Sequence, residues 1–223
     1  MLLLAVDTSG KQGSIALAQC GRAEACEVLE VASLSGGTFS AELVPQIAAL
    51  LARHRFTKTD IGAFAVVSGP GSFTGLRIGL AVIKALGEVL AKPIAAVSLL
   101  EALASVAEAR GRVLAALDGG RREVFLGEYD VASATNKMIR ERLLTRDEWL
   151  EVAGDSLVVT ADNTLAEAAR GKGLRVLQVE RPQSDLVARL GWRKILSGET
   201  VSTTALEADY VGRSEAELFA KGS

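Results

Sequence analysis

Histidine is almost missing from this chain. His54 is the only one among 223 residues, so a metal centre built on a pair of histidines would lack its second member. Aromatic residues make up 4% of the sequence, too few for a platform on which nucleic-acid bases stack. Basic residues are not in excess either. With a formal charge of −2 and a pI near 5.6, the chain lacks the positive surface that grips a phosphate backbone. Long apolar runs are absent as well: the opening run ends at Asp7, too short for a signal peptide or a membrane span, and no basic stretch precedes it. A cytoplasmic location is the expectation. Two cysteines, Cys20 and Cys26, flank a Gly-Arg-Ala-Glu-Ala turn. They are placed to face each other across a hairpin, although a cytosolic setting favours free thiols. A metal site would need more ligands than these, so none is expected. His54 lies between Arg53 and Arg55 near a helix end, where it is read as solvated and favourable to the helix dipole.

What the chain has is apolar and small residues. Hydrophobic residues make up 49%, ample for a core, and the length suits one large domain or two lobes of about a hundred residues each. The sequence is organised around Ser68-Gly-Pro-Gly-Ser-Phe-Thr-Gly-Leu-Arg-Ile-Gly-Leu80. Ile61–Val67 ahead of it reads as a buried strand. Leu76, Leu80, Ile83, Leu86 and Leu90 follow at helical spacing, up to Pro93. The loop between is either a structural turn or a phosphate cradle, but the Gly-x-x-x-x-Gly-Lys-Ser/Thr form is absent. Gly75, Gly79 and Gly87 share one helix face with Ile83. Interior glycines cost roughly 0.5–1 kcal/mol each against alanine, so something must approach that backbone closely. Two readings stay open: packing onto this chain's own sheet, or a second helix from another chain.

In chain order, Leu2–Asp7, Ser14–Gln19 and Glu27–Ala32 read as a three-stranded meander. A Ser/Gly loop over Ser33–Thr38 precedes a helix carrying Leu43, Ile47, Leu50 and Leu51 to about Arg55, and Pro45 places its start nearby. After the central stretch, Ile94–Val97 is a strand, and Ser98 with Glu101 forms a capping-box pattern for a helix to about Arg110. The pattern then restarts. Val113–Leu117 is a strand and Gly119-Gly120 a turn. Glu123–Asp130 is a strand with Val124, Leu126 and Tyr129 inward, and Lys137–Leu144 a third. Thr145 with Glu148 caps a helix, Leu157–Thr160 is a strand, and Thr164 with Glu167 caps the next helix. Leu174–Val179 is a strand, Asp185 to Leu196 a helix, Ala205–Val211 extended, and Ser214 with Glu217 caps a terminal helix.

Both halves thus share one order of three strands, helix, strand, helix, which implies an α/β layer fold in two related lobes. The expected division is 1–110 and 111–223. Each lobe opens with a strand whose end carries an aspartate and small residues: Asp7-Thr8-Ser9 and Asp118-Gly119-Gly120. This doubling resembles the actin-like ATPase (ASKHA) superfamily, with two ribonuclease-H-like lobes. The resemblance implies Asp7, Thr8, Ser9, Asp118, Gly119 and Gly120 as candidate nucleotide-contacting residues. Small residues bring N–H groups to phosphate and a carboxylate can hold Mg²⁺, while an aspartate at a strand end is also an ordinary turn residue. No cofactor is implied outright, and ATP or ADP contact stays open.

Within that superfamily, Leu3-Leu4-Ala5-Val6-Asp7-Thr8-Ser9, the Ser68–Leu80 run, Leu117-Asp118 through Glu123-Val124-Phe125, and Ala208-Asp209-Tyr210-Val211 resemble the bacterial TsaB (YeaZ) family over essentially the whole chain. The resemblance implies a subunit that supports threonylcarbamoylation of adenosine 37 in tRNAs reading codons that start with A. It implies as partners the catalytic paralogue TsaD and the ATPase TsaE, with tRNA met only through the complex and no membrane. TsaD-type proteins carry a metal-binding His-x-x-x-His pair, and Leu99 and Leu103 stand at those positions here. The resemblance therefore implies an accessory subunit without catalytic residues. The family's frequent His-Ser-Glu segment appears as Phe39-Ser40-Ala41-Glu42, and its Tyr-Leu-Arg as Tyr210-Val211-Gly212-Arg213.

Family pairing runs through helices of the N-terminal lobe, which makes Gly75, Gly79, Ile83, Leu43 and Ile47 the candidate seam. Gly79→Leu is then expected to abolish association and leave the fold largely intact. The isolated chain is expected to self-associate through the same face. Competing expectations are a stand-alone ATP-dependent phosphotransferase, which would bind Mg-ATP by itself, and a metallopeptidase, which needs three protein ligands.

Overall fold

A computed structural model describes residues 1–22, 24–107, 111–132 and 135–211. The chain divides into two units. Unit 1 is Met1–Leu99 with Pro182–Asp209, and unit 2 is Leu100–Arg181 with Tyr210–Ser223. The terminal helix expected at Ser214 and Glu217, and Arg213 of the last motif, lie outside the described residues.

Unit 1 begins with the meander β1 (Leu2–Asp7), β2 (Gly13–Cys20) and β3 (Cys26–Leu34), antiparallel throughout. Helix α1 (Phe39–Arg53) follows. Next come β4 (Ile61–Gly69), helix α2 (Phe73–Leu90) and β5 (Ile94–Ser98). β4 runs parallel to β1, and β5 parallel to β4. The sheet order is β3-β2-β1-β4-β5. Every residue of β1 is buried, so this strand needs a covering layer on each face.

Helix α1 starts earlier than Pro45 suggested. Pro45 lies inside it, beyond the first turn, and its side chain faces outward. The lost main-chain hydrogen bond is tolerated there because that edge of the helix meets water.

Unit 2 repeats the plan. Helix α3 (Leu99–Val106) leads into β6 (Gly111–Gly120), β7 (Glu123–Ala132) and β8 (Thr135–Thr145), another antiparallel meander. Helix α4 (Arg146–Ala153), β9 (Leu157–Thr160), helix α5 (Asn163–Gly171) and β10 (Val176–Gln178) complete it. The sheet order β10-β9-β6-β7-β8 is that of unit 1 read from the other edge. This repeated topology is the two-lobed ribonuclease-H-like arrangement of the actin-like superfamily. The core gathers Leu114, Val124, Leu126, Trp149, Val158 and Leu165.

Two local expectations in this unit are corrected. The β6–β7 turn is carried by Arg121 and Arg122, both left-handed with φ of 49° and 65°. Gly119 is the bulged residue of β6, since the register shifts between Asp118 and Gly120, so Gly119-Gly120 is not the turn. Thr164 does not cap α5: the helix begins at Asn163 behind Asp162. The box at Thr145 and Glu148 is present as expected, with both hydrogen bonds made.

One helix joins the other unit. α6 (Ser184–Ser197) follows β10 in sequence, yet belongs to unit 1, where it packs against β1, β2, β3, β4 and β5. Its apolar face carries the small residue Gly191, where a Cβ would collide with Cβ of Ala65 in β4. Ser184 at its start is fully buried and donates to the carbonyl oxygen of Ser14 at 2.6 Å. The structural division therefore differs from the expected boundary at 110/111, because α6 finds its apolar cover on the first sheet and α3 falls in unit 2. Ala205 lies in a turn and 206–211 are irregular, not a strand. Among the described residues no helix is long and apolar enough to cross a membrane.

Candidate functional site

The central stretch forms the joint between β4 and α2. The Gly69–Pro70 bond is cis, and the chain passes so close to the end of β1 that a Cβ on Gly71 would strike the carbonyl oxygen of Ser9. Ser72 N–H donates to that same oxygen at 2.7 Å. Ser72 Oγ then accepts from Gly75 N–H at 3.3 Å and caps α2. On the other side, Asp209 N–H donates to Ser68 O at 2.8 Å. The last motif of the sequence thus rests on the first residue of the central one.

Asp7, Thr8 and Ser9 are each only 2% exposed. Asp7 Oδ1 accepts from the N–H and Oγ of Ser9, at 2.8 and 2.5 Å. Thr8 Oγ1 donates to Gly75 O at 2.7 Å. Thr8 and the carbonyl of Ser9 thus tie the end of β1 to the start of α2, while Asp7 braces the turn through Ser9. Next to them, Gly10, Lys11, Gly37, Phe39, Ser72, Thr74, Gly75 and Ile78 line a cavity of about 280 Å³. Phe39 and Ile78 form its apolar side. Among the described residues, Lys11 is the only charged one in the lining, and the positive end of α2 opens beside it. Sequence reasoning did not single out Lys11, because a lone lysine in a Gly-rich turn carries no pattern.

Asp118, Gly119 and Gly120 lie in unit 2 at the matching strand end. Asp118 Oδ1 accepts from Gly120 N–H at 3.1 Å, and Asp118 N–H donates to Asp162 Oδ2 at 2.8 Å. Leu99 and Leu103 are fully buried. His54 is half-buried, with Nε2 2.8 Å from Glu30 Oε2, so it is paired and not simply solvated. Arg53, with His54, holds the Glu30 carboxyl below the usual range. Among the described residues no three His, Cys, Asp or Glu side chains are grouped to hold a metal.

The candidate seam residues are all inside. Leu43, Ile47 and Ile83 are 1%, 5% and 0% exposed, and Gly75 and Gly79 are buried too. A Cβ on Gly75 would strike Thr8 O, and one on Gly79 would strike Thr8 Oγ1. The glycine face is turned onto this chain's own first strand. Gly87 obeys the same rule against the Ile94 side chain of β5.

The other sides of the two helices are open. α1 and α2 pack against each other, and α1 exposes Ala41, Val44, Pro45, Ala48, Ala49 and Ala52. α2 exposes Phe73, Ala81, Ala85 and Val89, together with Arg77, whose guanidinium lies 3.7 Å from the Phe73 ring centroid. Val44, Phe73 and Val89 are 58%, 52% and 74% exposed. Water gains nothing from such a surface; its burial against another protein would be favourable.

Residues 33–204 match the family described as "TsaD: tRNA N6-adenosine threonylcarbamoyltransferase". The chain belongs to this family, on its TsaB (YeaZ) branch. It is 31% identical over 156 residues to the Bacillus subtilis "tRNA threonylcarbamoyladenosine biosynthesis protein TsaB", covering 68% of this chain and 66% of that protein. The Escherichia coli protein of the same name is 34% identical over 132 residues, covering 58% and 55%. The matches thus span between about half and two thirds of these relatives. "YeaZ from Pseudomonas aeruginosa" superposes with a TM-score of 0.76 at 25% identity, covering 94% of this chain and 99% of that one. Phe39 is a packing residue, 5% exposed on the cavity wall.

Proposed function

We propose that this chain is a scaffold and activator subunit for tRNA threonylcarbamoyladenosine synthesis. It pairs with a TsaD-type catalytic paralogue and works with a TsaE-type ATPase to place the threonylcarbamoyl group on adenosine 37. Its contact with tRNA comes only through that complex. The observation that carries the reading is the open apolar face of α1 and α2, an uncharged strip along α1 beside Ala81, Ala85 and Val89 of α2. A stable interface buries about 800 Å² per partner, which two helices of 15 and 18 residues can supply. In the absence of its partner, the same face takes a second copy of the chain.

A scaffold role is also supported by Asp7 and Thr8, whose side chains are spent on internal hydrogen bonds, and by Leu99 and Leu103, which cannot ligate a metal. The seam moves from the glycine face to the opposite side of the same helices.

The test is a double variant, Ala48→Glu with Ala81→Glu. Both positions are exposed, so thermal stability should stay within about 0.5 kcal/mol of the parent. Co-elution with the TsaD-type protein should be lost, and tRNA modification in the reconstituted system should fall with it. Full-strength binding by a folded double variant would overturn the reading.

A further inference from the structure

The hairpin of β2 and β3 is closed by two cysteines that the assembly role does not use. Cys20 and Cys26 are direct cross-strand partners, 1% and 7% exposed, with their sulfurs 2.7 Å apart. Cys20 N–H donates to Met1 O at 2.8 Å, and Cys20 O accepts from Met1 N at 2.6 Å. Both main-chain groups of Cys20 therefore point toward β1 and away from Cys26. That makes the two cysteines a non-hydrogen-bonded pair, the position where Cα atoms come within about 4.5 Å and side chains are closest. A disulfide bridges Cα separations of roughly 4.4–6.8 Å. One step outward, Gly21 N–H donates to Ala25 O at 2.8 Å, and Arg22 and Glu24 of the turn are exposed. The sulfurs thus lie at the foot of a surface turn. Arg189 of α6 donates to Cys26 O at 3.0 Å and brings a permanent positive charge beside that residue.

We propose that Cys20 and Cys26 are a redox-active dithiol, oxidised by a peroxide to an intramolecular disulfide that fastens the edge strand β3 to β2. The Cys26 thiolate attacks one peroxide oxygen, the O–O bond breaks, and the hydroxide that leaves is protonated to water. The Cys26 sulfenic acid is then attacked by Cys20 sulfur, whose proton departs with the sulfenic hydroxyl as a second water. Two thiols and one hydrogen peroxide become one disulfide and two waters. The order follows from the surroundings. Cys26 is the more exposed residue of the two, and its hydrogen bond with Cys20, together with Arg189, holds its thiol below the ordinary range against the opposing pull of burial. The same hydrogen bond, with burial, pushes the Cys20 thiol up. A lowered thiol beside a guanidinium is the natural nucleophile, and its neighbour the resolving group.

The experiment treats the reduced full-length chain, freed of reductant, with hydrogen peroxide and then iodoacetamide, and follows intact mass. The expected result is loss of two hydrogens with both cysteines protected together, in a chain that remains monomeric on a non-reducing gel and recovers with dithiothreitol. The oxidised chain should also melt higher than the reduced one. In Cys20→Ala, dimedone should trap a sulfenic acid at Cys26, whereas Cys26→Ala should give no adduct. Two cysteines still open to alkylation, at peroxide concentrations that oxidise free dithiothreitol, would overturn the proposal. So would a bond formed only between chains, or an adduct only on Cys20. The mass measurement uses the unaltered chain, so it remains decisive even where a variant fails to fold.

Discussion

Thr8 Oγ1 donates to the carbonyl oxygen of Gly75 at 2.7 Å, in the space that a side chain on Gly79 would need. Residues far apart in sequence are thus held in one contact, and the glycine-bearing helix is explained by it. α2 lies against the end of β1 because it has no side chains there to hold it off.

Gly79→Leu should therefore destabilise this chain's own fold, not merely a contact with a partner. Overpacking a tight contact costs typically about 1–3 kcal/mol, and the intruding atoms here meet a hydroxyl already committed to Gly75. Urea unfolding should show a clear loss of stability. An unchanged midpoint would mean that α2 can shift away from Thr8.

Stability should fall in acid through Glu128. This carboxylate is 1% exposed, and pairs with Arg140 and Arg112 at 2.6 Å each and Arg142 at 3.0 Å. Burial pushes its pKa up, but the guanidiniums, Arg140 foremost, outweigh this and leave it lowered. A lowered folded-state pKa means the stabilisation is fully present above the unfolded value, near ~4.3, and is lost as pH drops through the folded one. Glu128→Gln should cost about 1–3 kcal/mol at neutral pH, the loss of charge-assisted hydrogen bonds to arginines that water can still reach. It should also flatten the acid limb of the stability profile. Denaturant midpoints measured from neutral pH down into the acid range check both.

Ser184→Ala should loosen α6 from unit 1. It removes the donor to Ser14 O and leaves Ser14 Oγ, which accepts from Ser184 N–H at 2.9 Å, without its second partner at 2.8 Å. Losing a buried hydrogen-bond partner costs about 1–3 kcal/mol. Amide exchange should quicken along α6 and in the facing strands of unit 1, ahead of the meander of unit 2. Uniform quickening in both units would argue against α6 belonging to the first.

Trp149→Ala should be among the most damaging changes in unit 2. The side chain is fully buried in its core, and removing a large buried aromatic costs about 3–5 kcal/mol. Trp192 is 4% exposed in α6 of unit 1, so its fluorescence would still report that unit in the variant. Retention of the parent's thermal midpoint would show that the core of unit 2 can close over the gap.

The sequence alone was enough for what neighbours along the chain decide. Most strand and helix positions followed from apolar periodicity, though not the extended segment expected at Ala205–Val211, and the Thr145 box followed from short-range chemistry. The doubled order of elements foretold two like sheets, because a meander and its parallel additions are written in the spacing of strands and helices. The central Ser68–Leu80 run carried the family by its residue types. Tertiary structure alone decided which surface each element meets. Two readings of the glycine face were equal in sequence, since a stripe of small residues records that something comes close and not what. Folding put Thr8 there, which turned Leu43, Ile47 and Ile83 inward and left Val44, Ala48 and Ala81 outside. The same holds for α6: its apolar stripe demanded a partner sheet, and only the packed structure supplied the first one, through Gly191 over Ala65.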